Sequence, residues 1–83
     1  MNLEFYVARD DRGLHFFKDC PDLVKFNPYS EEIEWTGYPF DFGTGVGKFV
    51  RDCVENNPIV DNLEPYDTPL HLRLSDIKIF EID

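Results

Sequence analysis

Positive charge is scarce in this 83-residue chain: 8 Lys plus Arg stand against 17 Asp plus Glu, a formal net charge of −9. A phosphate-gripping nucleic-acid binder needs a surplus of bases to neutralise the backbone it holds, so direct nucleic-acid binding is excluded. No run approaches the roughly 18 consecutive apolar residues that cross a bilayer, and no basic stretch followed by an apolar one marks a signal peptide. The expectation is a soluble cytoplasmic protein with no membrane partner. Cysteine is also sparse, with only Cys20 and Cys53. Two cysteines so far apart do not make the disulfide framework of a small secreted domain, and both are expected reduced.

Groups that carry chemistry are few. Ser30 and Ser75 are the only serines, and neither sits in a nucleophile-elbow context. Cys20, Cys53, His15 and His71 are the soft metal-ligand candidates, and none has C-x-x-C or H-x-x-x-H spacing. Glu32 and Glu34 fall on one face of an expected strand, where a solvated acidic face is commoner than an acid–base pair. The sequence therefore points away from an enzyme, with no catalytic residue, no cofactor and no metal.

What the chain does have is apolar and aromatic content, 42% and 16% of residues, which is more than a disordered chain carries. Its length leaves room for one domain, residues 1–83, burying roughly 60% of its unfolded surface around a thin core.

Residues Leu3 to Arg9 alternate, with Leu3, Phe5 and Val7 on one face and Glu4, Tyr6 and Ala8 on the other. Asp10-Asp11-Arg12-Gly13 supplies turn chemistry, with Gly13 free to take positive φ, and Leu14 to Lys18 returns as a second strand. Cys20-Pro21 ends that strand and Asn27-Pro28-Tyr29-Ser30 breaks the chain again, leaving Asp22 to Phe26 as a short connector. Glu31 to Trp35 alternates as a third strand, Ile33 and Trp35 opposing Glu32 and Glu34.

Val46, Phe49, Val50, Cys53 and Val54 fall at i, i+3, i+4, i+7 and i+8, an apolar stripe that predicts a helix over residues 45–56. Thr44 is the expected N-cap and Asn56-Asn57-Pro58 the stop. Phe49, the largest member of the stripe, is expected in the core, where truncation to Ala costs about 3 to 5 kcal/mol. Residues 57–69 hold three of the six prolines and no period, and read as a long loop. Leu70, Leu72 and Leu74 then alternate, and Ile77 to Ile82 continues in extended form. The buried parity shifts between Leu74 and Ile77, so a bulge or tight turn is expected at Ser75-Asp76. One helix on one face of a small, mostly antiparallel sheet of four to five short strands makes an α+β fold.

The charge is unevenly placed. Residues 29–47 carry Glu31, Glu32, Glu34 and Asp41, and residues 57–69 carry Asp61, Glu64 and Asp67. The first stretch adds Tyr29, Trp35, Tyr38, Phe40 and Phe42. Rings rimmed by carboxylates suit docking onto a basic protein surface, the rings supplying buried area and the acids steering. The plainer reading makes the same rings core and the acids a solvated face. The candidate partner-binding residues are Glu31, Glu32, Glu34, Trp35, Tyr38, Asp41, Asp61, Glu64 and Asp67.

Gly43-Thr44-Gly45-Val46-Gly47-Lys48 invites comparison with a phosphate-binding loop at a helix N-terminus. Measured against G-x-x-x-x-G-K-[ST], the first glycine falls at Phe42 and the hydroxyl residue at Phe49, so both ends of the pattern are absent. Gly43, Gly45, Gly47 and Lys48 form the alternative anion site, for a phosphate or nucleotide. A third reading is a structural subunit that self-associates through the apolar run 70–82.

Phe5-Tyr6-Val7-Ala8-Arg9-Asp10, then Gly13-Leu14 and Phe16-Phe17-Lys18, resembles the opening hairpin of small phage and prophage proteins that begin with an extended ARD-x-x-G-x-L element, although here Leu14 follows Gly13 directly and His15 stands at the pattern's last position. The resemblance covers about a fifth of the chain. It implies a phage or mobile-element origin and, because that group has no assigned chemistry, no site. For a phage protein the docking reading takes the form of an inhibitor, whose carboxylates stand in for phosphates on a host nucleic-acid-binding or defence protein.

Overall fold

The computed structural model describes residues 2–25, 28–29, 32–40 and 46–82, with the side chain of Val46 excepted. Among the described residues six strands form two sheets: β1 (Asn2–Asp10), β2 (Gly13–Phe17), β3 (Asp22–Lys25), β4 (Ile33–Thr36), β5 (Leu70–Ser75) and β6 (Lys78–Glu81). The first sheet runs β2-β1-β5-β6 and the second pairs β3 with β4, all neighbours antiparallel. Two described helices, α1 (Val46–Glu55) and α2 (Pro58–Asp61), lie between β4 and β5 in the chain. The α+β outline holds, whereas the single sheet, the four to five strands and the single helix do not. None of the described helices is long and apolar enough to cross a membrane.

The β1–β2 hairpin closes on the pair Asp10 and Gly13. Asp10 Oδ1 accepts from the N–H of Arg12 at 2.7 Å and of Gly13 at 3.0 Å, the local bonding that makes Asp a turn former. Gly13 has φ +134°, where an L side chain is strained, so the glycine is required there.

Residues 70–82 form a second hairpin, and not one long extended run. Ser75 pairs with Lys78. Asp76 and Ile77, at φ 48° and 65°, are the two turn residues, both left-handed as in a type I′ turn. The expected parity change is thus a tight turn, one residue later than Ser75-Asp76. Ile77 is β-branched in a region that favours Gly or Asn, and its side chain is 73% exposed.

Two other expectations are corrected. Asp22 to Lys25 is strand β3 and not a connector, with Leu23 facing Trp35 across the pair. Its residues are all exposed, so burial left no alternating signal to read. Within the expected loop 57–69, residues 58–61 form α2. Asn57 Oδ1 caps it by accepting from the Ile59 N–H at 3.0 Å, and Pro58 takes the first helical position, where its missing N–H costs nothing.

The main core gathers Phe5, Val7, Phe16, Leu72, Leu74 and Ile79 from the larger sheet, Val50 and Val54 from α1, and Val60 and Leu63 from α2 and the turn after it. Helix α1 is rolled within the expected stripe. Val50 and Val54 are fully buried and Cys53 is half-buried, but Phe49 is 43% exposed, against the expectation that it is core. At 100° per residue Phe49 lies about 120° from the midline between Val50 and Val54, so a helix that aims the two valines at the sheet leaves the ring at the rim. Arg51, on the other flank, stacks over the Phe16 ring at 4.8 Å. Gly47 and Lys48 stand in the first turn of α1; Thr44 and Gly45 lie outside the described residues.

A second, smaller core lies on the opposite face of the sheet. There Ala8 and Phe17 meet Trp35 of β4, with Tyr6 packed alongside. Gly37 permits this close approach, because a Cβ there would meet Phe17 at 3.2 Å and the Pro21 backbone at 3.3 Å. The segment after β4 then runs along the outer side of β2: the Lys18 N–H donates to the Tyr38 carbonyl at 2.8 Å and the Phe40 N–H to the Phe16 carbonyl at 3.2 Å.

Candidate functional site

The β1–β2 turn projects between the two acidic stretches and joins them. On one side an open cleft of about 510 Å³ is lined by Asp10, Asp11, Arg12, Glu32, Ile33, Glu34 and Tyr66. On the other, a cleft of about 620 Å³ is lined by Arg9 to Gly13 with Asp61, Leu63, Glu64 and Pro65. Asp10, Asp11 and Arg12 belong to both walls. Six carboxylates, on Asp10, Asp11, Glu32, Glu34, Asp61 and Glu64, therefore share one end of the molecule with two guanidinium groups.

Arg9 fixes the geometry of that end. Its carbonyl accepts from Trp35 Nε1 at 2.9 Å and from the Tyr66 N–H at 2.8 Å, while its Nη2 donates to the Val60 carbonyl at 3.0 Å. One residue thus ties β4, the loop after α2 and α2 itself to the end of β1. Its buried Nε has no partner among the described residues. Tyr66, held at φ 67°, presents its side chain to the first cleft.

Asp10 is engaged on both oxygens, Oδ2 lying 2.7 Å from His15 Nε2. Burial pushes its carboxyl up. The N–H of Arg12, the side chain and charge of His15, and the N–H of Gly13 outweigh that and hold it below the usual carboxylate range.

The predicted site residues separate into groups. Glu32 and Glu34 line the first cleft, and Asp61 and Glu64 the second. Asp67 turns away: its Oδ2 accepts from the Glu64 N–H at 3.0 Å, closing a turn, and it lines a different depression with Ile59 and Leu70. Trp35 is buried beneath the cleft as core, so its ring is no surface anchor. Tyr38 is 72% exposed on the β2 side, apart from both clefts. Glu31 and Asp41 lie outside the described residues, as do Phe42 and, of the alternative anion site, Gly43 and Gly45. Of that site, Gly47 is half-buried beside Phe16 and Phe40, and Lys48 is exposed.

The sequence marked Asp10, Asp11 and Arg12 as turn residues only, and gave no sign of a role for Arg9 or Tyr66. The available signal was the pair of adjacent acids at a hairpin tip, which any neighbouring element brings into register with its own charges.

No family model, curated protein or solved structure matches the chain.

Proposed function

We propose that this is a non-enzymatic interaction protein that docks its acidic end onto a basic surface of another protein. The observation that carries this reading is the gathering of six carboxylates from three separate stretches of chain around one hairpin tip. Six carboxylates against two guanidinium groups leave a net negative end, and such a field raises the encounter rate with a basic surface and selects against acidic competitors. With a phage or mobile-element origin, the partner is a host nucleic-acid-binding or defence protein, and the carboxylates occupy a groove built for phosphates.

Immobilised protein, used to capture partners from cell extract at low salt and identify them by mass spectrometry, supplies the ligand. Association is then compared with that of the triple variant Glu32→Lys, Glu34→Lys, Asp61→Lys. The expected outcome is association slowed 10-fold or more at low salt with folding intact, since exposed substitutions shift stability by no more than about 0.5 kcal/mol. Binding and salt dependence that survive the triple reversal unchanged would refute the reading.

A further inference from the structure

The two edges of the four-stranded sheet are treated differently. Along the β2 edge the outward-facing Phe16 carbonyl, and the Lys18 N–H just past the strand, are taken up by Phe40 and Tyr38. On β6, at the other edge, no described segment pairs with the outer side. The Ile82 N–H donates to the His71 carbonyl directly opposite, at 2.8 Å. That arrangement repeats every second residue along an antiparallel ladder. Lys78 and Phe80 therefore bond inward to β5, and Ile79 and Glu81 turn their N–H and C=O groups outward.

We propose that this edge pairs with β6 of a second copy of the chain, antiparallel about a two-fold axis at Phe80. A two-fold axis normal to the sheet keeps each face continuous only if paired residue numbers sum to an even value. Of the registers that meet this condition, the one centred on Phe80 pairs Ile79 with Glu81 of the second copy and Glu81 with its Ile79. All four outward groups of each strand are then satisfied. Phe80, 44% exposed, faces its own equivalent in the non-hydrogen-bonded position, where side chains come closest. Glu81 meets an isoleucine and Lys78 meets Ile82, so no like charges stand directly opposite.

Charge does not oppose a second copy at this edge. Over residues 70–82 the fixed charges are Arg73, Asp76, Lys78 and Glu81, which balance, although the whole chain is −9. The acidic end lies beside β1 and β2, across the sheet from β6, so the pair carries two acidic ends on opposite flanks of an eight-stranded sheet. Four residues of edge bury less than the roughly 1,000 Å² of a stable interface, which makes the dimer weak and concentration-dependent.

Sedimentation equilibrium of the whole chain tests this. The expected mass rises from 9.8 kDa toward twice that value with concentration. Glu81→Pro, which removes an outward N–H and leaves the β5–β6 ladder intact, should hold the mass at 9.8 kDa with an unchanged circular-dichroism spectrum. Independently of that variant's folding, and with the exposed Cys20 replaced by Ser, Phe80→Cys should form an intermolecular disulfide on mild oxidation and Lys78→Cys should not. A mass of 9.8 kDa at every concentration up to about 1 mM, or a dimer indifferent to Glu81→Pro, overturns the proposal. So does equal cross-linking by the two cysteine variants. None of these outcomes depends on binding at the acidic end.

Discussion

Asp10 does three jobs with one carboxylate: it shapes the β1–β2 turn, holds His15 and contributes charge to the cleft. Because its folded pKa is depressed, the stability it confers is present above the unfolded value near 3.9 and is lost as pH falls through the folded one. Asp10→Asn should therefore lower the melting temperature at pH 7 and flatten the loss of stability between about pH 5 and pH 2. Thermal melts across that range check it. An acid limb as steep in the variant as in the parent would assign the loss to other carboxylates.

At the scale of elements, α1 is held by two valines and not by its largest ring. Val54→Ala removes a fully buried side chain and should cost about 1.5 to 3 kcal/mol, lowering the melting temperature by roughly 10 °C. Phe49→Ala should cost less than about 1 kcal/mol despite removing more atoms, because its ring already stands at the water boundary. Chemical denaturation of the two variants checks the order. The reverse order would mean that the helix sits rolled back toward Phe49. Periodicity located this helix to within a residue or two, since a 3.6-residue stripe is written in the chain itself. The depth of each stripe position was not so written, because the partner sheet chooses which part of a 140° stripe it covers.

The whole molecule is drawn out, 45 Å along its longest axis, with a radius of gyration of 13.2 Å against about 12 Å for a compact domain of this length. Its apolar residues form two cores on opposite faces of one sheet. The smaller one, Ala8, Phe17 and Trp35, is what holds β3–β4 and with it the Glu32 and Glu34 wall of the cleft. Trp35→Ala should cost about 3 to 5 kcal/mol and strip hydrogen-exchange protection from β3 and β4 before β1 and β5. Loss of protection everywhere at once would show instead that the two cores unfold as one unit. Any fall in partner binding by this variant should follow the loss of that wall.

The sequence by itself determined the hairpin at Asp10 to Gly13, the helix after residue 45, the acidic stretches and the α+β class, because turn chemistry, periodicity and charge are local properties. Only the tertiary structure decided that β3 exists, since an exposed strand has no burial period and is defined by its pairing with β4. It likewise decided that Pro58 opens a helix: a proline after asparagine is equally a stop and a start until the Asn57 side chain is seen to cap Ile59. The fate of Trp35 was undetermined for the same reason, as whether a ring is core or surface depends on what the opposite sheet face offers it. The site followed suit. Asp10 and Asp11 meet Glu32, Glu34, Asp61 and Glu64 only because three chain segments converge on Arg9, and convergence across fifty residues is a property of packing that no local pattern carries.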